Sequence, residues 1–186
     1  MQPIETPRLR IRPFVEDDLD AVARILDEGF GPVPRAQRQE WLDWSVRNHQ
    51  ALAALRQPPY GDLAVVLKSG GELVGSVGLV PSFGPFGKLP SLRSSRSSEL
   101  FTPELGLFWA VGTAHRGKGY ATEAARALVS FAFAGLGAER LVATTERENP
   151  SSIAVMRRLG MTIDENPDSE PHWFQVVGVH FNPALR

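Results

Sequence analysis

A chain of 186 residues with 42% hydrophobic and 22% charged residues is long enough for one globular domain with a sizeable core. Twenty basic residues against twenty-one acidic ones leave a formal charge of -1, which argues against a broadly basic nucleic-acid-binding surface. With no cysteine there are no disulfides, thiolate metal sites or cysteine nucleophiles, and the four histidines lack metal-ligand spacing, so no metal is expected. Met1-Gln2-Pro3-Ile4-Glu5 lacks a signal-peptide pattern, and no apolar stretch approaches the roughly 20 residues that span a bilayer. The expectation is a cytoplasmic protein with neither membrane nor nucleic-acid partner.

Residues 9–14 alternate apolar and charged side chains, the pattern of a half-buried strand closed by Pro13. Asp17 or Asp18 can cap a helix whose stripe is Leu19, Val22 and Leu26, broken at Gly29-Phe30-Gly31-Pro32. A second helix is expected over 35–55, with Trp41, Trp44, Asn48, Leu52 and Leu55 on one face and Pro58-Pro59 beyond its end. Strands over 63–67 and 73–80, joined by Ser69-Gly70-Gly71, read as a hairpin. The stretch 81–103 has five prolines and glycines before Ser91, then a serine-rich run, and reads as a long loop. Its Arg93 and Arg96 suit either an anionic substrate or plain solubility, and Phe83, Phe86 and Leu89 point to part of it packing down.

An almost continuous apolar run makes 105–111 a strand buried on both faces. A glycine-containing loop follows. The helix expected over 121–134 has Ala124, Leu128, Phe131, Ala132 and Gly135 as its packing stripe. Residues 140–145 form another strand. Asn149-Pro150 supplies a cap and a first-turn proline for a helix ending at Gly160, and 172–180 alternates as a last strand. No repeat or domain boundary interrupts 1–186, so one domain is expected.

The chemistry concentrates in strand, loop, helix and strand between 105 and 145. A helix between two strands implies parallel neighbours. Gly117 and Gly119 let a ligand approach the backbone, and the following helix aims its unpaired N–H groups and positive dipole end at the loop. Such a place holds anions, a diphosphate above all, and Arg116 and Lys118 add charge there. A strand-to-helix turn needing glycine only for its geometry would look the same. The Walker pattern is absent, and a dinucleotide fingerprint would need glycine where Thr122 stands.

Arg116, Gly119 and Ala121 match Gln/Arg-x-x-Gly-x-Gly/Ala, and here the chain resembles the GNAT superfamily of N-acetyltransferases. The run from Gly117 through Ala124 and the opening Thr6-Pro7-Arg8-Leu9 are similar to the branch of ribosomal-protein N-terminal acetyltransferases. Asn149, Ser152 and Gly160 match the family's downstream pattern, with Met161 where an aromatic is usual. The resemblance is strong over 104–161 and absent across 81–103. It implies an α/β (α+β) fold: a mixed, mostly antiparallel central sheet with helices on both faces and a splayed parallel strand pair that admits acetyl-CoA.

The resemblance further implies that the pantetheine arm pairs with the backbone of Trp109, Ala110 and Val111. The diphosphate would rest on the N–H groups of Gly117, Lys118, Gly119, Tyr120, Ala121 and Thr122, beside Arg116. Asn149 would bond the arm, serve as a helix cap, or do both. Acyl transfer to an amine needs a base for the ammonium proton, a donor for the oxyanion and an acid for the departing thiolate. A strand N–H near Val111 suits the oxyanion. Many relatives place a tyrosine acid where Met156 stands, which leaves Ser152 as the candidate acid or as a solvent-facing first-turn residue. Glu104 is the candidate base or an exposed strand-end carboxylate; the branch's usual glutamate would fall at Gly106. Glu123 is expected to pair or cap, and His172 to sit on a turn. The implied activity is direct acetyl transfer to a primary amine, on a protein N-terminus or a small molecule. An inactive acyl-CoA-binding sensor of the same fold and a nucleotide-binding βαβ protein are the alternatives.

Overall fold

The computed structural model describes residues 2–93 and 101–185. Its strands are β1 (Ile4–Glu5), β2 (Leu9–Arg12), β3 (Gly61–Leu67), β4 (Leu73–Gly84), β5 (Thr102–Val111), β6 (Arg140–Thr145), β7 (Thr162–Glu165) and β8 (Val176–Phe181). They form one eight-stranded sheet in the order β1-β2-β3-β4-β5-β6-β8-β7. The pair β5–β6 is parallel, with Gly106 opposite Val142, and the rest of the sheet is antiparallel. With helices α1 (Leu19–Phe30), α2 (Arg35–Ala54), α3 (Tyr120–Ser130) and α4 (Pro150–Arg158), this is the expected mixed α/β architecture. The short β1 and β7 go beyond the sequence pattern; β1 has only two residues, and Thr162-Ile163-Asp164-Glu165 of β7 does not alternate apolar with polar side chains.

The described residues divide into two compact units. The first comprises Met1–Val80 with Phe108–Leu128. In β2, Leu9 and Ile11 are fully buried while Arg10 is exposed, as its alternation requires. β2 pairs with β3 in the register Leu9 to Leu67, and β3 with β4 as a hairpin bulged between Val65 and Val66. Leu19, Val22, Ile25 and Leu26 of α1 join Phe14, Leu42, Ala64, Val66 and Leu73 in the core, with Phe108 and Ala110 of β5 packed against it.

The helix α2 departs from the sequence reading. Its buried residues are Leu42, Ser45 and His49, whereas Trp44 and Leu55 are 57% and 68% exposed. Trp41 meets Phe14 edge-to-face at 5.5 Å, which turns the helix so that two polar residues face inward. A hydropathy stripe could not reveal that orientation. Asp18 likewise does not cap α1 with its side chain. Its carboxylate takes two bonds from Arg12, at 2.6 and 2.8 Å, and one from the Val15 N–H.

The second unit comprises Pro81–Leu107 with Val129–Arg186. Part of the expected long loop is structured. β4 runs on to Gly84, a 3-10 turn covers Phe86–Lys88, and Phe86 and Leu89 are buried with Val142, Phe174, Val177 and Val179. Phe86 meets Phe174 edge-to-face at 5.0 Å. Ser91 donates its N–H and hydroxyl to Asp164, at 2.8 and 3.1 Å. Arg93 is exposed, and Arg96 lies outside the described residues. α3 ends at Ser130 and gives way to a π-helical turn over Phe131–Gly135, so the expected helix over 121–134 is two kinds of helix. The last strand starts at Val176, because His172–Phe174 is a 3-10 turn.

Candidate functional site

The loop between β5 and α3 is mostly exposed and carries two cations and two glycines over 116–119. After Val111, the Gly112 N–H donates to the Val74 carbonyl at 3.1 Å. A 3-10 turn, Thr113–His115, follows, anchored by Thr113 N–H donating to Glu28 Oε2 at 2.6 Å. That backbone bond is the main reason the Glu28 carboxyl lies below its ordinary range. Arg116, Gly117, Lys118 and Gly119 are then all exposed. Gly117 and Gly119 have φ of 75° and 81°, left-handed angles that a side chain would strain. The first intrahelical bond of α3 runs from Glu123 N–H to the Gly119 carbonyl. The N–H groups of Tyr120, Ala121 and Thr122 therefore precede any helical acceptor and add the positive end of the dipole. A Cβ at Gly117 would meet nothing within 4 Å, so space beside the loop is open.

The turn before β2 braces this loop. Arg8 donates to Glu123 Oε2 at 2.6 Å and to the Lys118 carbonyl at 2.9 Å, and its guanidinium lies 4.6 Å from the centre of the Tyr120 ring. Glu123 also accepts from the Thr6 hydroxyl at 2.6 Å and the Arg8 N–H at 2.9 Å. Burial pushes the Glu123 carboxyl up, but the bonds from Thr6 and Arg8 together outweigh it and hold it below the usual range. Glu123 thus pairs, as expected. Thr6 and Arg8, which the sequence offered only as part of a family-like opening, hold the loop in shape. The Arg116 side chain donates back to the Val111 carbonyl at 3.1 Å, and Trp109, Ala110 and Val111 are half-buried.

The second unit carries the remaining candidates. Glu104 on β5 has both carboxylate oxygens on Arg140 of β6, each at 2.8 Å, with its side chain only 7% exposed. That bond is the main cause of the raised Arg140 pKa. Asn149 caps α4, its Oδ1 accepting from the Ser152 N–H at 3.1 Å, with Pro150 next in the chain. Ser152 is half-buried. Met156 is fully buried and offers no acidic proton. A Cβ on Gly178 would stand 3.0 Å from the Met161 sulfur and 3.1 Å from that of Met156. The methionines in the two family-aromatic places thus fill one niche over a glycine. His172 is exposed on its turn.

The model of the acetyltransferase (GNAT) domain matches residues 8–162. The chain belongs to this GNAT family. An uncharacterised N-acetyltransferase of Bacillus subtilis, YnaD, is 27% identical over 162 residues, covering 85% of this chain and 81% of the relative. Among solved structures, an acetyltransferase of Agrobacterium tumefaciens superposes with a TM-score of 0.69 at 26% identity, covering 97% of this chain and 94% of the other. A ribosomal L7/L12 alpha-N-protein acetyltransferase, RimL, in complex with coenzyme A shares the fold, with a TM-score of 0.65 at 13% identity and 96% of each chain covered. GNAT proteins as a family transfer acetyl groups from acetyl-CoA.

One polar group in this GNAT chain escaped the sequence reading. Asp62 stands near the start of β3, just before the apolar run that reads as a strand. Burial pushes its carboxyl up to about 6. Its Oδ1 and the Ser76 hydroxyl are both buried with no hydrogen-bond partner. The cross-strand pairs Asp62–Gly78 and Ala64–Ser76 put them on the same face of the sheet, which only the register could reveal. Among the described residues no cluster of histidines and carboxylates suits a metal, and no helix is long and apolar enough to cross a membrane.

Proposed function

We propose that this GNAT protein acetylates a primary amine by direct transfer, the acceptor being a protein N-terminus or a small molecule. The observation that carries the reading is the exposed loop from Arg116 to Gly119, with two left-handed glycines leading into the start of α3. Those features suit the diphosphate of acetyl-CoA, which supplies the acetyl group as a thioester. In this reading Gly117, Lys118, Gly119, Tyr120, Ala121 and Thr122 present N–H groups, and Arg116 and Lys118 balance the charge. The backbone of Trp109, Ala110 and Val111 receives the pantetheine arm, and Asn149 bonds it with the capacity its capping bond leaves over.

Ser152 is the proposed proton donor to the departing sulfur, since Met156 cannot serve. Glu104 is the carboxylate that the family pattern offers as base. In that role it would have to release at least one of its two bonds to Arg140 when the ammonium arrives. The buried Met156 in place of a tyrosine also favours a second reading, an acyl-CoA-binding module without catalysis.

Thermal unfolding with acetyl-CoA, coenzyme A and ADP as ligands tests the binding half. A ligand at about 100 times its dissociation constant adds roughly 2.7 kcal/mol to the folded state. Both pantetheine-bearing ligands should raise Tm by several degrees and ADP by less; no shift at saturation would end the acetyl-CoA reading. Amine-dependent release of free thiol then separates the enzyme from the silent module.

A further inference from the structure

The helix-facing side of the sheet in the first unit is apolar where Ala64, Val66, Phe108 and Ala110 meet the core. Asp62 and Ser76 interrupt it. Ser76 is 1% exposed, and its hydroxyl has no partner; Asp62 Oδ1 is equally without one. Opposite Asp62 stands Gly78, where a Cβ would lie 2.7 Å from Oδ1. Glycine at that position makes room for the carboxylate. A carboxylate oxygen and a hydroxyl buried on one face of the sheet without partners carry a desolvation cost that a bound donor would relieve. From below, the His49 ring donates through Nε2 to the Asp62 carbonyl at 3.0 Å, and Asn48 donates to the Tyr60 carbonyl at 2.8 Å. The backbone here is therefore tied to α2 while the side chain is left unengaged.

The site is level with the strand that meets the cofactor. Gly112 N–H bonds the Val74 carbonyl. Four residues beyond Val74 on β4 is Gly78, and four before Gly112 on β5 is Phe108, the neighbour of Trp109. Phe108 stacks on Phe30, which is 65% exposed, with ring centres 5.9 Å apart. The orphaned Asp62 Oδ1 thus stands two strands from the strand of the proposed thioester path, on the sheet face that carries Phe108.

We propose that Asp62, with Ser76 on the same face of the sheet, receives the acceptor's ammonium group and takes the proton that must leave before the nitrogen can attack. This rests on the acetyl-transfer reading above and assigns the base to Asp62 rather than Glu104. One ammonium N–H bond breaks as an O–H bond forms on Asp62. The freed lone pair makes the C–N bond while the C–S bond breaks. A second nitrogen proton leaves with the sulfur as free thiol, and Asp62 returns its proton to water. A base must hold its proton weakly enough to be ionised at working pH and strongly enough to take one, and a carboxyl lifted by burial meets both conditions near neutrality. The other ionisable groups around it leave it free to act. His49 from α2 is held neutral, chiefly by burial. Arg12, across β3 at Ala64, is committed to Asp18. From β4 the facing residues are the neutral Gly78 and Ser76.

The test compares wild type, Asp62→Asn, Ser76→Ala and Glu104→Gln. Thiol release is followed with acetyl-CoA and serine- and alanine-terminated peptides, a diamine and an arylalkylamine, and acetyl-CoA binding is measured by calorimetry. Asp62→Asn should keep acetyl-CoA affinity within about twofold while kcat/KM for the best amine falls about 100-fold and the acid limb of its pH profile, near pH 6 in wild type, disappears. Ser76→Ala should raise KM for the amine with kcat little changed, and Glu104→Gln should keep the acid limb. Near-normal turnover by Asp62→Asn with the limb intact, or loss of the limb in Glu104→Gln instead, would overturn the assignment. If Asp62→Asn does not fold, an unaltered KM in Ser76→Ala overturns it. A wild type that acetylates none of the amines removes the acetyl-transfer reading itself, and this proposal with it.

Discussion

Asp62 costs the fold stability, and the cost has a pH signature. Its carboxyl is raised from an ordinary value near 3.8 to about 6, so between those values the folded chain binds a proton that the unfolded chain has released. Stability from this group is therefore full at low pH, falls as pH rises through the window, and stays low above it. A rise of that size corresponds to roughly 2–3 kcal/mol. Asparagine keeps the shape and has no charge to desolvate. Asp62→Asn should thus unfold several degrees above wild type at about pH 8, at roughly 2–4 °C per kcal/mol for a chain of this size, and converge with it near pH 4. Equal Tm differences at both pH values would mean that the carboxylate has found a partner. A residue that lowers stability while occupying a glycine-made niche is the expected signature of a group kept for function. Glu104 presents the opposite case, since both its oxygens are bonded. The sequence made Glu104 legible because it stands directly before the apolar run 105–111. It hid Asp62, whose environment is made by Gly78, sixteen positions away across a hairpin.

At the scale of elements, the loop and α3 act as one device, and substitutions should separate strain from charge. Gly117→Ala forces a side chain into a left-handed angle, a strain of about 1–2 kcal/mol, but into open space and without charge. Gly119→Glu adds the same strain plus a carboxylate at a place suited to anions. Calorimetry should show acetyl-CoA affinity falling less than about tenfold for Gly117→Ala and more than about 100-fold for Gly119→Glu, because a like charge repels the diphosphate as well. Equal losses would reduce the loop to a turn that needs glycine for its geometry alone. This element was readable because its residues are contiguous: glycines, cations and a helix start fall within a few positions. The face of α2 was not readable. Its orientation depends on the Trp41–Phe14 contact, and its buried Ser45 and His49 look polar in any hydropathy pattern. The 81–103 stretch was legible only in part: its Phe86 and Leu89 point to packing, and both are buried. Pro81, Pro85 and Gly84 suggest a loop, yet tertiary burial of Phe86 and Leu89 overrides local propensity.

For the whole molecule, six of the eight strands follow from alternating and apolar runs, the parallel pair follows from one helix between two strands, and the family resemblance supplied the mixed, mostly antiparallel sheet. What periodicity could not supply was the edges, β1 and β7, because neither Ile4-Glu5 nor Thr162-Ile163-Asp164-Glu165 carries an apolar alternation. Trp109, Ala110, Val111 and the Arg116–Thr122 segment belong to the first unit, Asn149 and Ser152 to the second. Hydrogen exchange with and without acetyl-CoA reads each unit separately. In the first, amides of Gly117, Gly119, Ala121 and Thr122 should exchange more slowly with ligand, because the diphosphate would supply acceptors that the loop and helix start lack. In the second, the informative amides are those of Ser151 and Ser152. The Ser152 N–H is already bonded to Asn149 Oδ1, so a ligand contact at Asn149 should deepen an existing protection. Slowing in both units would support Asn149 as both cap and ligand contact. Slowing in the first alone would leave Asn149 a helix cap, and would require another residue to hold the arm beyond the diphosphate.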